Sequence, residues 1–301
     1  MKPESSSRLL PLLLLAVGAL AAACSAEPPA PSARPEAPAQ RVVSLAPSLT
    51  AWLEAIGAGG QLVGVSEHCR PATTEPAPRN VGRIDTPNLE LITELRPDLI
   101  LATTMTPATT IEQMRGQGWP VQVHDHESLQ GVLDSVLRLG TATGHRHLAE
   151  QNYQHLKFAL QIHAEDPDLP RWRTAVMLDL EPAYAAGPGS FPYDLVAALG
   201  LPQITDDLDT PWPRLGNEAI ITLDPQLVIV SSGPGRESEA ALRAQWERLR
   251  RGPVWSPTEA ARHNRLLVIG DNGLTVPGPD LGVVIGRLQE GILRLAGEAS
   301  P

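Results

Sequence analysis

Aromatic side chains are scarce in this chain: six Trp, three Tyr and two Phe among 301 residues. Cysteine occurs only at Cys24 and Cys69, which excludes a disulfide-stapled fold. Positive charge is in deficit. The net charge of −10 argues against a nucleic-acid or anionic-membrane partner, although a local basic patch is still possible. After Cys24 no segment approaches the ~18 unbroken apolar residues of a membrane span. Enzyme signatures are missing as well. "GPGSF" is not a Gly-x-Ser-x-Gly nucleophile turn, and "GPGRES" lacks the lysine of a phosphate loop. "HDHE" (His124 to Glu127) follows an expected strand and precedes an expected helix, so Asp125 or Ser128 is read as a helix cap. His145 and His147 begin a helix on opposing faces, so neither completes a metal pair with it. Neither a catalytic nor a metal site is expected.

What is present begins with a targeting signal. Lys2 and Arg8 precede the apolar run "LLPLLLLAVGALAAA", which leads into Cys24. "AAAC" resembles a bacterial lipobox, with Ala21 where Leu is commoner, so residues 1–24 are expected to form a lipoprotein signal that leaves Cys24 lipidated. An ordinary signal peptide cut near Ala23 or Ala26 is the simpler alternative. Residues 25–40, "SAEPPAPSARPEAPAQ", are Pro- and Ala-rich without apolar periodicity and predict a disordered tether. Lipidation of Cys24 would leave Cys69 as the one thiol, expected to act as a small buried hydrophobe. The folded part then starts near Arg41, in an extracytoplasmic compartment.

From there strands and helices alternate. "RVVSL", "QLVGVS", "DLILA" and "PVQVHD" predict strands, and "LTAWLEAIGA", "NLELITEL", "ATTIEQMRGQG" and "SLQGVLDSVLRLGTATG" predict helices. The pattern is that of a parallel α/β sheet. "EHCRPATTEPAPRNVGRIDTP" predicts a long loop of the kind that carries function. "HRHLAEQNYQHLKFALQIHAED" has no Gly or Pro and predicts one long connecting helix, with a mixed stripe through Leu148, Gln151 or Asn152, His155 or Leu156, Ala159 and Ile162. The second half repeats the alternation, with "EPAYAAGPG" expected as a loop. The expected domains are an N-terminal lobe over 41–144, a connector over 145–166 and a C-terminal lobe over 167–301.

One repetition stands out. "ELITELRPDLILA" starts at Glu90 and "EAIITLDPQLVIV" at Glu218. Aligned, Ile92 falls on Ile220, Leu95 on Leu223, Pro97 on Pro225 and Leu99 on Leu227. Each copy predicts a helix ended by proline and followed by a buried strand. Each also carries a glutamate at the start of that helix.

"RVVSLAPSLTAWLEAIGAGGQLVGVSEHC", "VGRIDTPNLELITELRPDLILA", "AAGPGSFPYDLVAALG" and "PWPRLGNEAIITLDPQLVIV" together resemble the helical-backbone (class III) substrate-binding proteins of ABC importers. The "NLE" and "PWP" patches are most similar to the cobalamin-binding branch. The resemblance implies an α/β fold of two Rossmann-like lobes with central parallel sheets, joined by one long rigid helix, with a ligand between the lobes. It implies a monomer that delivers cobalamin or another corrinoid to a permease dimer. Haem or a ferric siderophore is the alternative cargo, and a sensor of the same fold is a third reading. Glu90 and Glu218 stand where the family pairs one glutamate per lobe with permease arginines. A helix-start carboxylate favouring the helix dipole is the simpler account of both.

A corrinoid is a broad, partly apolar disc that needs apolar faces and a few hydrogen-bonding groups. By position the resemblance assigns ligand contacts to His68, Tyr184, Gly187, Ser190, Phe191, Trp212, Asp271 and Asn272. His68 or Tyr184 could serve haem as an axial ligand. Arg70, Arg79, Arg83 and Arg214 could serve an anionic siderophore. Where cobalamin binders often carry first-lobe tryptophans, this chain has Ile84 and Thr103. No bound cofactor is implied beyond the transported ligand.

Overall fold

The computed structural model describes residues 37–72, 75–164, 166–233 and 236–298. The expected signal segment, Cys24 and most of the expected tether lie outside the described residues. Two sheets organise the rest. The first has strands β1 (Val42–Ser44), β2 (Leu62–Val65), β3 (Arg79–Asn80), β4 (Leu99–Thr103) and β5 (Val121–His124), in the order β3-β2-β1-β4-β5, all parallel. The second has β6 (Thr174–Leu180), β7 (Ala183–Ala185), β8 (Leu227–Ser231) and β9 (Leu266–Ile269), in the order β7-β6-β8-β9. Its β6, β8 and β9 are parallel, while β7 is an antiparallel edge. Every residue of β4 and of β8 is buried, as an apolar run covered by helices on both faces requires.

In the first half the helices are α1 (Pro47–Ala55), α2 (Leu89–Leu95), α3 (Ala108–Gly116) and α4 (Leu129–Thr143). α5 (Arg146–Ala164) lies between the two sheets in sequence and packs against α4 and against the last helix, α10 (Leu281–Glu298). In the second half, α6 (Phe191–Ala197), α7 (Asn217–Leu223), α8 (Glu239–Leu249) and the short α9 (Glu259–Arg262) precede α10. Among the described residues no helix is long and apolar enough to cross a membrane.

Three cores follow from this layering. Val43, Ile92, Ile100 and Met114 fill the α2/α3 face of the first sheet. Met177, Ile220, Val230, Trp246 and Trp255 fill the α7/α8 face of the second. The third core is shared: Leu49, Trp52, Leu101 and Val136 of the first half join Leu195, Ile229, Ile285 and Leu288 of the second. Residues 38–301 accordingly form one compact unit. Hydrogen bonds also cross between the halves inside it. The Trp52 indole donates to Pro277 O at 3.0 Å, and Leu129 N donates to Asp194 Oδ2 at 3.0 Å. Burial raises the Asp194 pKa, the Leu129 N–H lowers it, and nearby Asp125 raises it.

The connector stripe differs from the sequence expectation by about one position. Ala149 and Leu156 are buried and Leu160 is half-buried, while Leu148 (40% exposed) and Ile162 (51%) face out. The cause is the α4–α5 contact. Gly140 lets the helices approach so closely that a methyl there would clash with the Cβ of Ala149, and this turns Ala149 inward.

The repeated segments fold alike down to their hydrogen bonds. α2 and α7 are both seven residues long and end in left-handed residues, Arg96 (φ 48°) and Asp224 (φ 42°). Pro97 and Pro225 follow and prevent further helix. Asp98 N and Leu99 N both donate to Arg41 O, and Gln226 N and Leu227 N both donate to Arg173 O. In return Arg41 N donates to Asp98 Oδ1 (2.9 Å) and Arg173 N to Gln226 Oε1 (3.0 Å). The two guanidinium groups cap the helix ends, Arg41 on Leu95 O and Arg173 on Asp224 O. Arg41 and Arg173 each open the central strand of their sheet, so the repeat is an architectural unit of strand start, helix end and following strand.

Candidate functional site

In parallel α/β sheets ligands bind outside the carboxyl ends of the strands, where the strand order reverses. In the first sheet that point lies between β1 and β4. The loops there are Leu45–Ala46, Ser66–His68 after β2, Thr103–Thr106 after β4 and Asp125–Glu127 after β5. In the second half the carboxyl ends of β6 and β9 lead into the β6–β7 hairpin and the Gly270–Asn272 turn, while antiparallel β7 carries the Gly187–Ser190 turn back toward the amino end of β6. The Leu129–Asp194 and Trp52–Pro277 bonds join structure that follows these strand ends in both halves.

The expected loop "EPAYAAGPG" instead contains strand β7, and residues 211–215 extend its edge. Ala185 N donates to Pro213 O, Gly187 N to Pro211 O and Leu215 N to Ala183 O. Tyr184 pairs with Arg214 as an antiparallel bridge and with Asp179 across β6. Side chains alternate along paired strands, so Tyr184, Arg214 and Trp212 share one face. Trp212 is 40% exposed and Tyr184 half-buried. The structure thus brings these two expected site residues together. Gly187 is buried in the same pairing because a side chain there would clash with Thr210 O.

Other expected contacts lie elsewhere. Ser190 is fully buried with its hydroxyl on Gly187 O (2.8 Å), and Phe191 is 2% exposed in the shared core. Both build the turn, with their side chains packed inward. Asp271 and Asn272 adopt left-handed φ of 59° and 58°. Asp271 is exposed and 3.4 Å from Arg287, while Asn272 N donates to Ser232 O and packs on Gly233.

In the first half His68 is exposed and 3.3 Å from Glu67 Oε1. Cys69 is buried, its sulfur 3.2 Å from Ser66 Oγ, as expected of a structural cysteine. Ile84 is half-buried against the α2/α3 core, and Thr103 is 4% exposed and presents no apolar surface in place of a tryptophan. The arginines are locally engaged. Arg83 pairs with Asp85 (2.8 Å), Arg79 with Glu94 (2.9 Å), and Arg70 donates to the carbonyls of Glu67 and Cys69. Sequence reasoning missed Met105, which follows β4 and is 78% exposed.

The "HDHE" segment is a capping structure. Ser128 caps α4 through Gly131 N, and Asp125 accepts from Glu127 N and the Ser128 hydroxyl. His124 is fully buried, and His126 holds Ser48 Oγ at 2.8 Å. Burial pushes their pKa values down to about 3 and about 4 respectively. Arg138 and His126 lower His124 further, while Asp125 acts in the opposite sense on His126.

Glu90 and Glu218 are exposed, each the second residue of its helix. Two cavities of about 360 and 390 Å³ flank the Glu181–Arg248 ion pair on the α7/α8 side of the second sheet. Arg214 lines the smaller, but His68, Tyr184, Trp212 and Asp271 line neither. Neither cavity is the surface that the expected site residues share.

The family model described as "Periplasmic binding protein" matches residues 42–272. The chain belongs to the periplasmic binding protein family. This family supplies the substrate-binding proteins of ABC importers, and the two-lobed α/β architecture is that of its helical-backbone class. A vitamin B12-binding protein of Pectobacterium carotovorum is 27% identical over 212 residues, covering 69% of this chain and 76% of that protein. The solved periplasmic vitamin B12 binding protein of Vibrio cholerae shares the fold with a TM-score of 0.70 at 21% identity, covering 86% of this chain and 98% of that one. The periplasmic heme binding protein of the same organism does so with a TM-score of 0.71 at 22% identity, covering 83% and 98%. These family members bind substrates rather than transform them.

Proposed function

We propose that this chain is an extracytoplasmic, lipid-anchored receptor that binds cobalamin or a related corrinoid between its lobes and hands it to an ABC importer. The observation that carries the reading is the strand edge at 183–187 and 211–215. It holds a half-exposed Trp212 beside Tyr184 on one face, a rigid apolar platform with a polar phenol at its border. The curated vitamin B12-binding relatives support corrinoid as the cargo. Lipid anchoring rests on "AAAC" and the Pro/Ala tether, and docking rests on the paired glutamates.

Haem is the second reading, favoured by the equally close fold of a heme-binding protein and by the accessible His68 imidazole. A siderophore is disfavoured because Arg70, Arg79 and Arg83 are held by local partners.

Calorimetric titration with cyanocobalamin and with haemin decides between the cargoes. One-to-one binding of cyanocobalamin with quenching of tryptophan emission is the expected result, and binding of haemin alone would replace it with the second reading. Trp212→Ala should weaken cyanocobalamin binding about tenfold, equivalent to ~1.4 kcal/mol. Its melting temperature should change little, because a side chain this exposed contributes little to the core. Equal affinity in Trp212→Ala would remove the platform from the site.

A further inference from the structure

We infer that Met105 is the first lobe's apolar jaw for the ligand and sets its specificity for large apolar or conjugated faces; this rests on the reading of the cleft given above. Seven large apolar side chains are exposed among the described residues: Met105, Leu148, Phe158, Ile162, Trp212, Ile221 and Val283. Five of them ride on α5, α7 or α10. The other two, Met105 and Trp212, sit in non-helical loops, one in each half of the molecule.

Met105 is also placed by topology. It follows β4 beside β1, where the first sheet reverses its strand order. Its loop is held tightly: Thr104 N donates to His124 O (3.1 Å), and Thr106 N donates to Thr103 O (2.9 Å). Thr103 and Thr106 are buried on either side of it. With both flanks fixed, the turn drives the one long apolar side chain outward. A thioether is flexible and polarisable, packs well on aromatic or conjugated faces, and is a poor hydrogen-bond partner. It suits a broad macrocycle and does little for a sugar or a small ion. It also supplies first-lobe apolar surface that the buried Thr103 does not and the half-buried Ile84 supplies only in part.

The test compares the wild-type chain with Met105→Ala, Met105→Leu and Met105→Gln, with Phe158→Ser on α5 as control. Binding of cyanocobalamin and of haemin is measured by titration, and melting temperature is recorded for each. Met105→Ala and Met105→Gln should weaken the bound macrocycle about tenfold or more, as loss of a buried apolar contact predicts. Met105→Leu, of similar volume and polarity, should stay within about threefold. Melting temperatures and the Phe158→Ser affinity should match wild type. If wild type binds a macrocycle and Met105→Ala binds it equally, the jaw is refuted and the cleft reading stands. A Met105→Leu loss as large as that of Met105→Ala would refute the apolar basis. If wild type binds neither macrocycle, the functional reading itself fails.

Discussion

Lowering the pH from 7 to 5 should cost this protein roughly 3 kcal/mol of folding stability through His124 and His126 alone. Both imidazoles are neutral in the folded state because burial disfavours their charged forms, with pKa values lowered to about 3 and about 4. In the unfolded chain they protonate near pH ~6.5. Below that pH the unfolded state therefore binds more protons than the folded one, and stability falls as pH falls. Each histidine contributes a slope of about 1.4 kcal/mol per pH unit, or about 2 kcal/mol between pH 6.5 and 5. The loss levels off only where the folded-state imidazoles themselves titrate. His126 keeps part of its surface in solvent, so its share is the smaller. A loss of this size is a large fraction of a typical stability of ~5–15 kcal/mol. Guanidinium unfolding at pH 7, 6 and 5 measures it, and His124→Phe should flatten the slope by about one proton. A wild-type stability that is level across this range, or an unchanged slope in His124→Phe, would show that the pair does not govern acid stability.

His124 also marks the limit of what the sequence disclosed. "PVQVHD" reads as a strand, but the groups that surround this histidine pair, Arg138 near His124 and Ser48 on His126, arrive from α4 and α1 far along the chain. The local signals were legible. Proline after an amphipathic turn gave α2 and α7, an all-apolar run gave β4 and β8, and Ser128 before an apolar period gave the α4 cap. What stayed hidden depends on pairing at a distance. β7 pairs with β6 on one side and with residues 211–215 on the other, and no pattern in "EPAYAAGPG" announces that. Ser190 and Phe191 match the family's cleft turn by motif position, and only the packing shows that their side chains are buried. Met105 was passed over because one methionine in a threonine-rich turn carries no periodicity, and its exposure emerges only once Thr103 and Thr106 are buried around it.

Replacing both repeated glutamates should slow delivery of ligand to the importer by more than about tenfold while leaving ligand affinity intact. Glu90 and Glu218 are exposed and occupy the same position of equivalent helices in the two halves. Two charges at a fixed separation on a rigid body can meet two permease subunits at once. Each exposed pair adds only ~0–1 kcal/mol, but the contact is bivalent and steers the encounter. Glu90→Ala or Glu218→Ala alone should slow uptake about two- to fivefold, and the double variant roughly ten- to thirtyfold. Raising the salt should shrink the difference between wild type and variants, since exposed charges are screened beyond ~8–10 Å. The helix-dipole account makes a different and asymmetric prediction. Asn88 caps α2 with its side chain on Leu91 N, whereas Gly216 gives α7 no side-chain cap. If the glutamates only stabilised helix ends, by ~0.3–1 kcal/mol each, Glu218→Ala would lower the melting temperature more than Glu90→Ala, and uptake would track that loss. Docking predicts comparable transport defects in the two single variants, uncoupled from melting temperature. Uptake, melting temperature and ligand affinity measured on the same three variants separate the accounts, and normal uptake in the double variant would leave the repeat as architecture alone.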